Sequence, residues 1–328
     1  MSLVINDTTY AGTFASYFWL PATFGMDTIQ KGAVYVQDGI KKKHTIGRID
    51  FSAPLQARAA TPTTSGTYTI DGRVLEPQDL MLYTEFNPRD FEAHWLAEQL
   101  SPTLLARELP VTAENYMIQI GLNRMFEQIE TGIWMGSTTY TATPGTTGNG
   151  QICFFDGFLK KMVADSAVLK VGSPVALTSS NVLAALDSLI SLAATNKKAL
   201  LSNSGRFKRM KFFISVKTEQ LYQTASLNLT FKGQAFDSGQ AMPYKGYQVV
   251  TLAGLPDDTI LFCEGLADTS SNLYVGMNSM EDNALQLQRL QNNSELFFLK
   301  GLMKYDVQYG FAAEAFLYTT LVDADFNV

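Results

Sequence analysis

The chain reads first as strands and turns, then as helices, then as strands again. From Gly32 to Phe86 the apolar positions come in short runs. Val34-Tyr35-Val36 stands before Gln37-Asp38-Gly39, Thr45 to Phe51 alternates in character, and Tyr68-Thr69-Ile70 runs into Asp71-Gly72. Asp-Gly pairs beside such runs predict turns, because both residues tolerate the backbone conformations that a tight reversal needs. Between the last two runs lies Ala57 to Thr67, rich in Ala, Thr, Pro and Ser and almost free of large apolar side chains. A stretch of this kind cannot build a core of its own, so it predicts either a loop or a projecting hairpin ordered by a partner.

Helical spacing takes over at Asn87. Its side chain can cap a helix, Pro88 suits the first helical position, Asp90 meets the positive end of the dipole, and Ser101-Pro102 marks the stop. A longer helix is predicted from about Ala113 to Trp134, capped by Thr112, because Ile118, Leu122, Met125, Ile129 and Ile133 recur at spacings of three and four. With a rise of 1.5 Å per residue it would be about 33 Å long. The uncharged, low-complexity stretch from Gly136 to Gly150 marks a boundary between two lobes.

Beyond that boundary the pattern predicts a short helix near Gly157 to Ala164. A second helix runs from Asn181 to Ala194, capped by Ser179 or Ser180 and striped by Val182, Leu186, Leu189 and Ala193. Met210 to Val216 is a continuous apolar run of the buried-strand kind, and Tyr247 to Leu252 and Thr259 to Glu264 flank a turn at Gly254 to Asp258. These predict a central sheet with helices around it. At the end of the chain, Leu296 to Lys304 and Val307 to Thr320 read as two long strands.

Composition narrows what such a chain does. A length of 328 residues suits two packed lobes with extended segments. Apolar residues make up 46% and charged residues 17%, the latter below the roughly 25% of ordinary soluble domains, so much surface is expected to be covered by other chains. A net charge of -6 and an isoelectric point near 5.1 exclude a broad basic face for gripping nucleic acid. The uncharged stretch from Ala11 to Met26 is interrupted by Thr13, Ser16, Pro21 and Thr23, too short and polar to span a bilayer. Its aromatics, Phe18 and Trp19 among them, still need cover from the chain's own core or a neighbour. Met1 to Tyr10 has no cationic leader region.

Catalytic chemistry is missing from the pattern. His44 and His94 have no partner at a metal-binding spacing. Glu127 and Glu130, three apart on the long helix, lack the accompanying Glu-x-x-His and read as an acidic edge facing solvent or an interface. Asp257 and Asp258 read as turn formers, and Cys153 and Cys263 as buried free thiols. No phosphate-cradling or nucleophile-elbow motif is present. The basic clusters Lys41 to Lys43 and Arg206, Lys208, Arg209, Lys211 read as solvated edges that could also pair across a subunit contact. No catalytic, cofactor-binding or metal residue is therefore assigned, and no enzyme is expected.

Several stretches carry a resemblance: Gly72-Arg73-Val74-Leu75 leading to Glu85-Phe86-Asn87-Pro88, Phe126-Glu127-Gln128-Ile129-Glu130 before Ile133-Trp134-Met135-Gly136, and Tyr305-Asp306-Val307-Gln308-Tyr309-Gly310. With the order of elements around them they resemble the Hong Kong 97-type major capsid proteins of tailed phages. The resemblance implies an α+β fold with an N-terminal arm at 1–31, an extended loop at 32–86, a peripheral domain at 87–150 with its spine helix at 113–134, an axial domain at 151–283, and return strands to the peripheral domain at 284–328. It further implies self-assembly into the icosahedral head that encloses double-stranded DNA, built in the host bacterial cytoplasm with portal and scaffolding proteins as partners, and no membrane. Arg58, Thr63, Tyr68, Arg73, Phe18, Trp19, Glu127 and Glu130 would then make contacts between copies. The rival readings are the shell of an encapsulin-like nanocompartment and a β-rich adhesive surface protein.

Overall fold

The computed structural model describes residues 8–11, 26–51, 55–58, 60–61, 63–64, 66–87, 111–140, 152–202, 204–227, 243–278, 284–290 and 296–327. Among them two sheets and one two-stranded ribbon carry the backbone pairing. The first sheet has the order β1 (Thr8–Ala11), β11 (Ala284–Arg289), β12 (Phe297–Tyr309), β10 (Leu273–Met277) and β2 (Tyr35–Gln37), with β5 (Gln78–Phe86) also paired to β12. The second runs β6 (Leu169–Lys170), β13 (Phe316–Thr319), β9 (Thr259–Glu264), β7 (Met210–Ser215), β8 (Gln248–Leu252). The ribbon joins β3 (His44–Phe51) to β4 (Tyr68–Leu75).

Strand β12 organises the first sheet. Phe297, Leu299, Met303, Tyr305, Val307 and Tyr309 are buried while Phe298, Lys300, Leu302, Lys304 and Gln308 are half-buried, the alternation expected of a strand with one face on the core. Two long strands were expected over 296–304 and 307–320, and the structure corrects this. A single strand continues through Tyr305-Asp306 because the Asp306 carboxylate is satisfied in place. It accepts from the backbone N–H of Glu76 (2.9 Å) and from Lys161 Nζ (3.1 Å). The second strand starts only at Phe316, after a 3-10 turn at Ala312–Glu314, and lies in the other sheet. The expected return through 284–328 is thus split between the sheets, and β10, ahead of that boundary, pairs with β12.

The long helix forms over Val111–Met135 (α2, following the short α1 at Asp27–Gln30), and all five residues of its predicted stripe are buried. The packing on β12 and β5 is close: a Cβ on Gly121 would come within 2.8 Å of a Leu299 methyl. Helix α3 (Phe158–Ala164) packs on α2 and β12, and with the second sheet go α4 (Val182–Asn196), α5 (Lys198–Ser202), α6 (Ser204–Phe207) and α7 (Val216–Leu227). Residue Asn181, in place of Ser179 or Ser180, stands at the α4 N-cap, and its side chain serves the preceding turn, accepting from Thr178 N–H and donating to Ala176 O. Val216, expected in a strand, begins α7 because the Ser215 hydroxyl accepts from the Thr218 N–H at 3.1 Å, an N-cap. The turn at Gly254 to Asp258 does not join neighbours, since β7 lies between β8 and β9.

Turn chemistry behaves differently at the two Asp-Gly pairs. Gly39 takes a φ of +78° with Asp38 capping its N–H, as expected of a turn. Asp71-Gly72 is no turn but lies inside β4, where Gly72 faces Gly47 across the ribbon. Cys263 is buried, whereas Cys153 is only half-buried. The helix expected from Asn87 to Ser101, the first seven residues, residues 12–25 and the end of the 136–150 stretch lie outside the described residues.

Helix α2 passes close to the β8–β9 connection. A Cβ on Gly254 would sit 2.3 Å from the Glu130 carbonyl oxygen, which is backbone and cannot swing away. Gly254→Ala is therefore expected to cost about 1–3 kcal/mol or more, read as a lower urea midpoint with an unchanged m-value.

Candidate assembly interface

Among the described residues the ribbon presents large apolar side chains on one face. Its register places Ile49 opposite Ile70 on one face, flanked by Val74 and Tyr68. Exposures there are 71% for Ile49, 78% for Ile70 and 68% for Tyr68. The opposite face carries Ile46 and Leu75, both buried, and the half-buried Arg73. In the segment linking the strands Leu55 is 94% exposed, and Arg58 and Thr63 are also exposed; the Thr63 carbonyl accepts from Gln56 Nε2. A two-stranded ribbon alone in water is marginal at best. Large apolar side chains gathered on one of its faces mark an interaction surface.

At its base the ribbon is latched to α3 and β12. The Arg73 guanidinium lies 4.2 Å from the centre of the Tyr309 ring and pairs with Asp165. The Tyr309 hydroxyl donates to the same Asp165 oxygen at 2.8 Å. Gln308 Nε2 donates to Val74 O, Lys304 Nζ to Lys41 O, and Lys43 pairs with Glu76. Burial pushes the Asp165 carboxyl up, but hydrogen bonds from the Ala167 N–H, Arg73 and Tyr309 outweigh it and hold the group below the ordinary carboxylate value. These side chains line an open cleft of about 410 Å³. Each cation there already has its carboxylate: Arg73 on Asp165, Lys160 on Asp156, Lys161 on Asp306. Of these pairs, Arg73–Asp165 is the one that ties the ribbon itself to the body.

The residues expected from the sequence to touch other copies are not one patch. Arg58, Thr63 and Tyr68 are exposed on the ribbon, while Arg73 is engaged within its own chain. Glu127 is exposed and pairs with Arg124 at 2.6 Å. Phe18 and Trp19 lie outside the described residues. Glu130 corrects the reading of an acidic edge, for it is 6% exposed. Both its oxygens accept from the Thr28 N–H at 3.2 Å, and the Thr28 hydroxyl, itself accepting from Trp134 Nε1, donates to Oε1. Burial raises the Glu130 carboxyl above its ordinary value, against the pull of the Thr28 hydrogen bonds and with some repulsion from Asp27.

The second basic cluster divides: Lys208 and Arg209 are exposed, as a solvated edge requires, while the other two are turned inward. Arg206 is bidentate on the buried Glu264 and bonded to Glu314, and Lys211 is buried with its Nζ toward Gly32 O. Among the described residues no group of three or more His, Cys, Asp or Glu could hold a metal, and no helix is long and apolar enough to cross a membrane. Sequence reasoning missed Ile49, Ile70 and Leu55. For Ile70 the signal was the alternation continuing through Gly72-Arg73-Val74, which the Asp-Gly turn reading cut short.

Neither a family model nor a curated protein matches the sequence. Solved structures do match. The capsid of the native GTA particle aligns with a TM-score of 0.57 at 12% identity, covering 90% of this chain and 90% of that one. The satellite phage P4 procapsid gives 0.54 at 12% identity, covering 93% and 99%. The capsid of Myoviridae phage XM1 gives 0.54 at 11%, covering 90% and 92%.

This chain has the tailed-phage capsid fold. The expected α+β class of the Hong Kong 97 type holds at the level of fold. On this capsid fold the ribbon carries Ile49 and Ile70 largely exposed on one face, and α2 and β12 belong to the body to which its base is latched.

The two carboxylates respond oppositely to pH. The folded pKa of Glu130 is raised, so its contribution to stability is fully present below its ordinary value of 4.5 and is lost as pH rises through the raised value. Glu130→Gln should therefore gain on the parent chain in urea midpoint between pH 4 and pH 8, whereas Glu130→Ala, which orphans the Thr28 N–H, should lose about 1–3 kcal/mol. Asp165 is lowered, so its contribution is present above its ordinary value of 3.8 and is lost as pH falls through the lower folded value. Arg73→Ala should cost about 1 kcal/mol at pH 5 and pH 8 alike, and the cost should shrink in strong acid to what the Tyr309 ring contact leaves.

Proposed function

We propose that this chain is the major shell subunit of a tailed-phage head, working by assembly with copies of itself and not by turnover. One observation carries the reading: an apolar-faced ribbon, with Ile49, Tyr68 and Ile70 mostly exposed, projects from a body with the capsid fold. Burying these side chains on a neighbour would remove a few hundred square ångströms of apolar surface from water, at about 25 cal/mol per Å². The contact is heterologous, one surface meeting a different surface on the next copy, so repetition closes pentamers and hexamers.

Known assemblies support the reading: the GTA and XM1 structures are described as capsids and the P4 structure as a procapsid. In this account the subunit resides in the virion capsid, is assembled in the bacterial cytoplasm, meets portal and scaffolding proteins, and encloses double-stranded DNA without sequence readout. Its net charge of -6 fits enclosure without tight binding. The exposed residues Arg58, Thr63, Tyr68 and Glu127 are assigned to contacts between copies.

Negative-stain microscopy of the purified chain should show icosahedral shells, or rings of five and six. A monodisperse monomer under every assembly condition would overturn the reading. Deleting Ala57 to Thr67 should leave the urea midpoint within about 0.5 kcal/mol of the parent and abolish shells. Normal shells from that variant would remove the ribbon from the interface.

A further inference from the structure

We infer that the corner of the second sheet carrying Lys197, Lys198, Lys208 and Arg209 is a contact site for the phosphate backbone of double-stranded nucleic acid, and so marks the face of the subunit that looks into the shell. The choice of partner rests on the shell reading above, and the corner itself on the geometry of the single chain. From Thr195 to Lys211 the sequence holds six cations and no acidic residue. Helix α4 ends at Asn196, and α5 and α6 follow as two short helices packed on one another. The Arg209 N–H then closes a turn on the Arg206 carbonyl and delivers the chain to β7. Leu200 and Met210 are sunk in the core beneath. The segment is folded back between those two anchors, which gathers its exposed cations at one end of the sheet.

These cations divide by task. Arg206 is committed to Glu264 and Glu314, and Lys211 is buried. Lys198, Lys208 and Arg209 are exposed and Lys197 is half-buried, and among the described residues none of the four has an ion pair. Asp268, in the loop between β9 and β10, faces Arg209 and Lys211. Its carboxyl is held below the ordinary carboxylate value first by hydrogen bonds from the Ser270 hydroxyl and N–H, then by these two cations. Three carboxylates thus stand against six cations, a positive surplus on a chain whose net charge is -6. Exposed cations elsewhere are matched, Lys43 by Glu76, Lys217 by Asp257 and Lys245 by Asp187. Between the free cations the exposed residues are small or polar, Thr195, Asn196, Ala199 and Ser202, and no large exposed apolar side chain of the described chain falls within 195–211. Protein interfaces are built round aromatic or aliphatic anchors, and this corner has none. A duplex presents one negative charge per ~1.7 Å and asks only for cations and hydrogen-bond donors. So few cations give a weak contact blind to sequence, one that holds the outer layer of packed duplex without stopping it from sliding.

The test is a titration of the full, unassembled chain into a short fluorescein-labelled DNA duplex, followed by anisotropy. Binding is expected at about 20 mM salt, and its constant should fall about 40-fold between about 50 and 200 mM, the response to three released counterions. The triple variant Lys198→Gln, Lys208→Gln, Arg209→Gln should lose at least about tenfold in affinity at about 50 mM salt, together with most of the salt dependence. A control with the same charge change at other exposed cations, Lys42→Gln, Arg124→Gln, Lys217→Gln, should keep both, and matching urea midpoints show that the three chains fold alike. No binding by the parent, or an equal loss in both triples, sinks the site. Poly-glutamate should displace the duplex only at a several-fold higher concentration of charge. Displacement at equal charge would assign the corner to an acidic protein segment, and the nucleic-acid reading would be wrong. In closed shells an amine reagent too large to pass the wall should leave Lys198 and Lys208 unmodified. Modification to the level of dissociated subunits places the corner outside and ends the inference. If the parent forms no shells, the shell reading fails alone, and the titration still decides the corner.

Discussion

Backbone pairing along β12 is the constraint on which the rest of this chain depends. One thirteen-residue strand holds β5 over nine register positions and β11 over six, and it pairs with β10 near its end. Its buried face seats α2 through Leu299, and its last turn of residues, Asp306 to Tyr309, supplies the groups that latch the ribbon and α3. A strand committed on both edges and one face cannot slip by a residue without moving Leu299 and Met303 to the opposite side. The position of the ribbon relative to the body is thus set by the same register that sets the core.

Polar groups inside this frame do the work of attachment. Asp306 is raised by burial and held by Lys161 and the Glu76 N–H, Glu130 clasps the segment at Thr28, and Arg206 ties α6 to β9 and to the turn before β13. Each is a charge kept inside because its partners come from another part of the sequence, between about sixty and two hundred and thirty residues away. Such contacts specify how segments sit on one another more than they add to stability.

That long range explains what could be read in advance. The stripe from Ile118 to Ile133 is a local pattern and its helix was legible to within two residues at the start. Strands β7 and β9, fully buried and bounded by turns, were equally legible. Asp71-Gly72 misled because turn chemistry is also local, whereas eight cross-strand pairs outweigh one dipeptide. Asp306 looked like a strand break because nothing near it in sequence announces Lys161 or Glu76. For the same reason Glu130 read as surface: its partner Thr28 is 102 residues away. In the candidate interface the exposed polar ribbon segment was visible as composition, but its apolar face needed the register, and the Arg73 latch needed Asp165 and Tyr309 to be brought together.

The short connection from β4 to β5 also decides how the molecule bears load. Only Glu76 and Pro77 separate the ribbon from β5, and β5 lies antiparallel along β12. A pull on the ribbon therefore acts along the β5–β12 seam, loading its nine paired positions together in shear instead of peeling them one at a time. The hydrogen bond from Gln308 to Val74 and the Arg73 latch add tethers at the point where the force enters. A pull that enters at the ribbon is thus delivered lengthwise into a seam where many bonds must break at once, while the same pull turned across the strands would meet them singly.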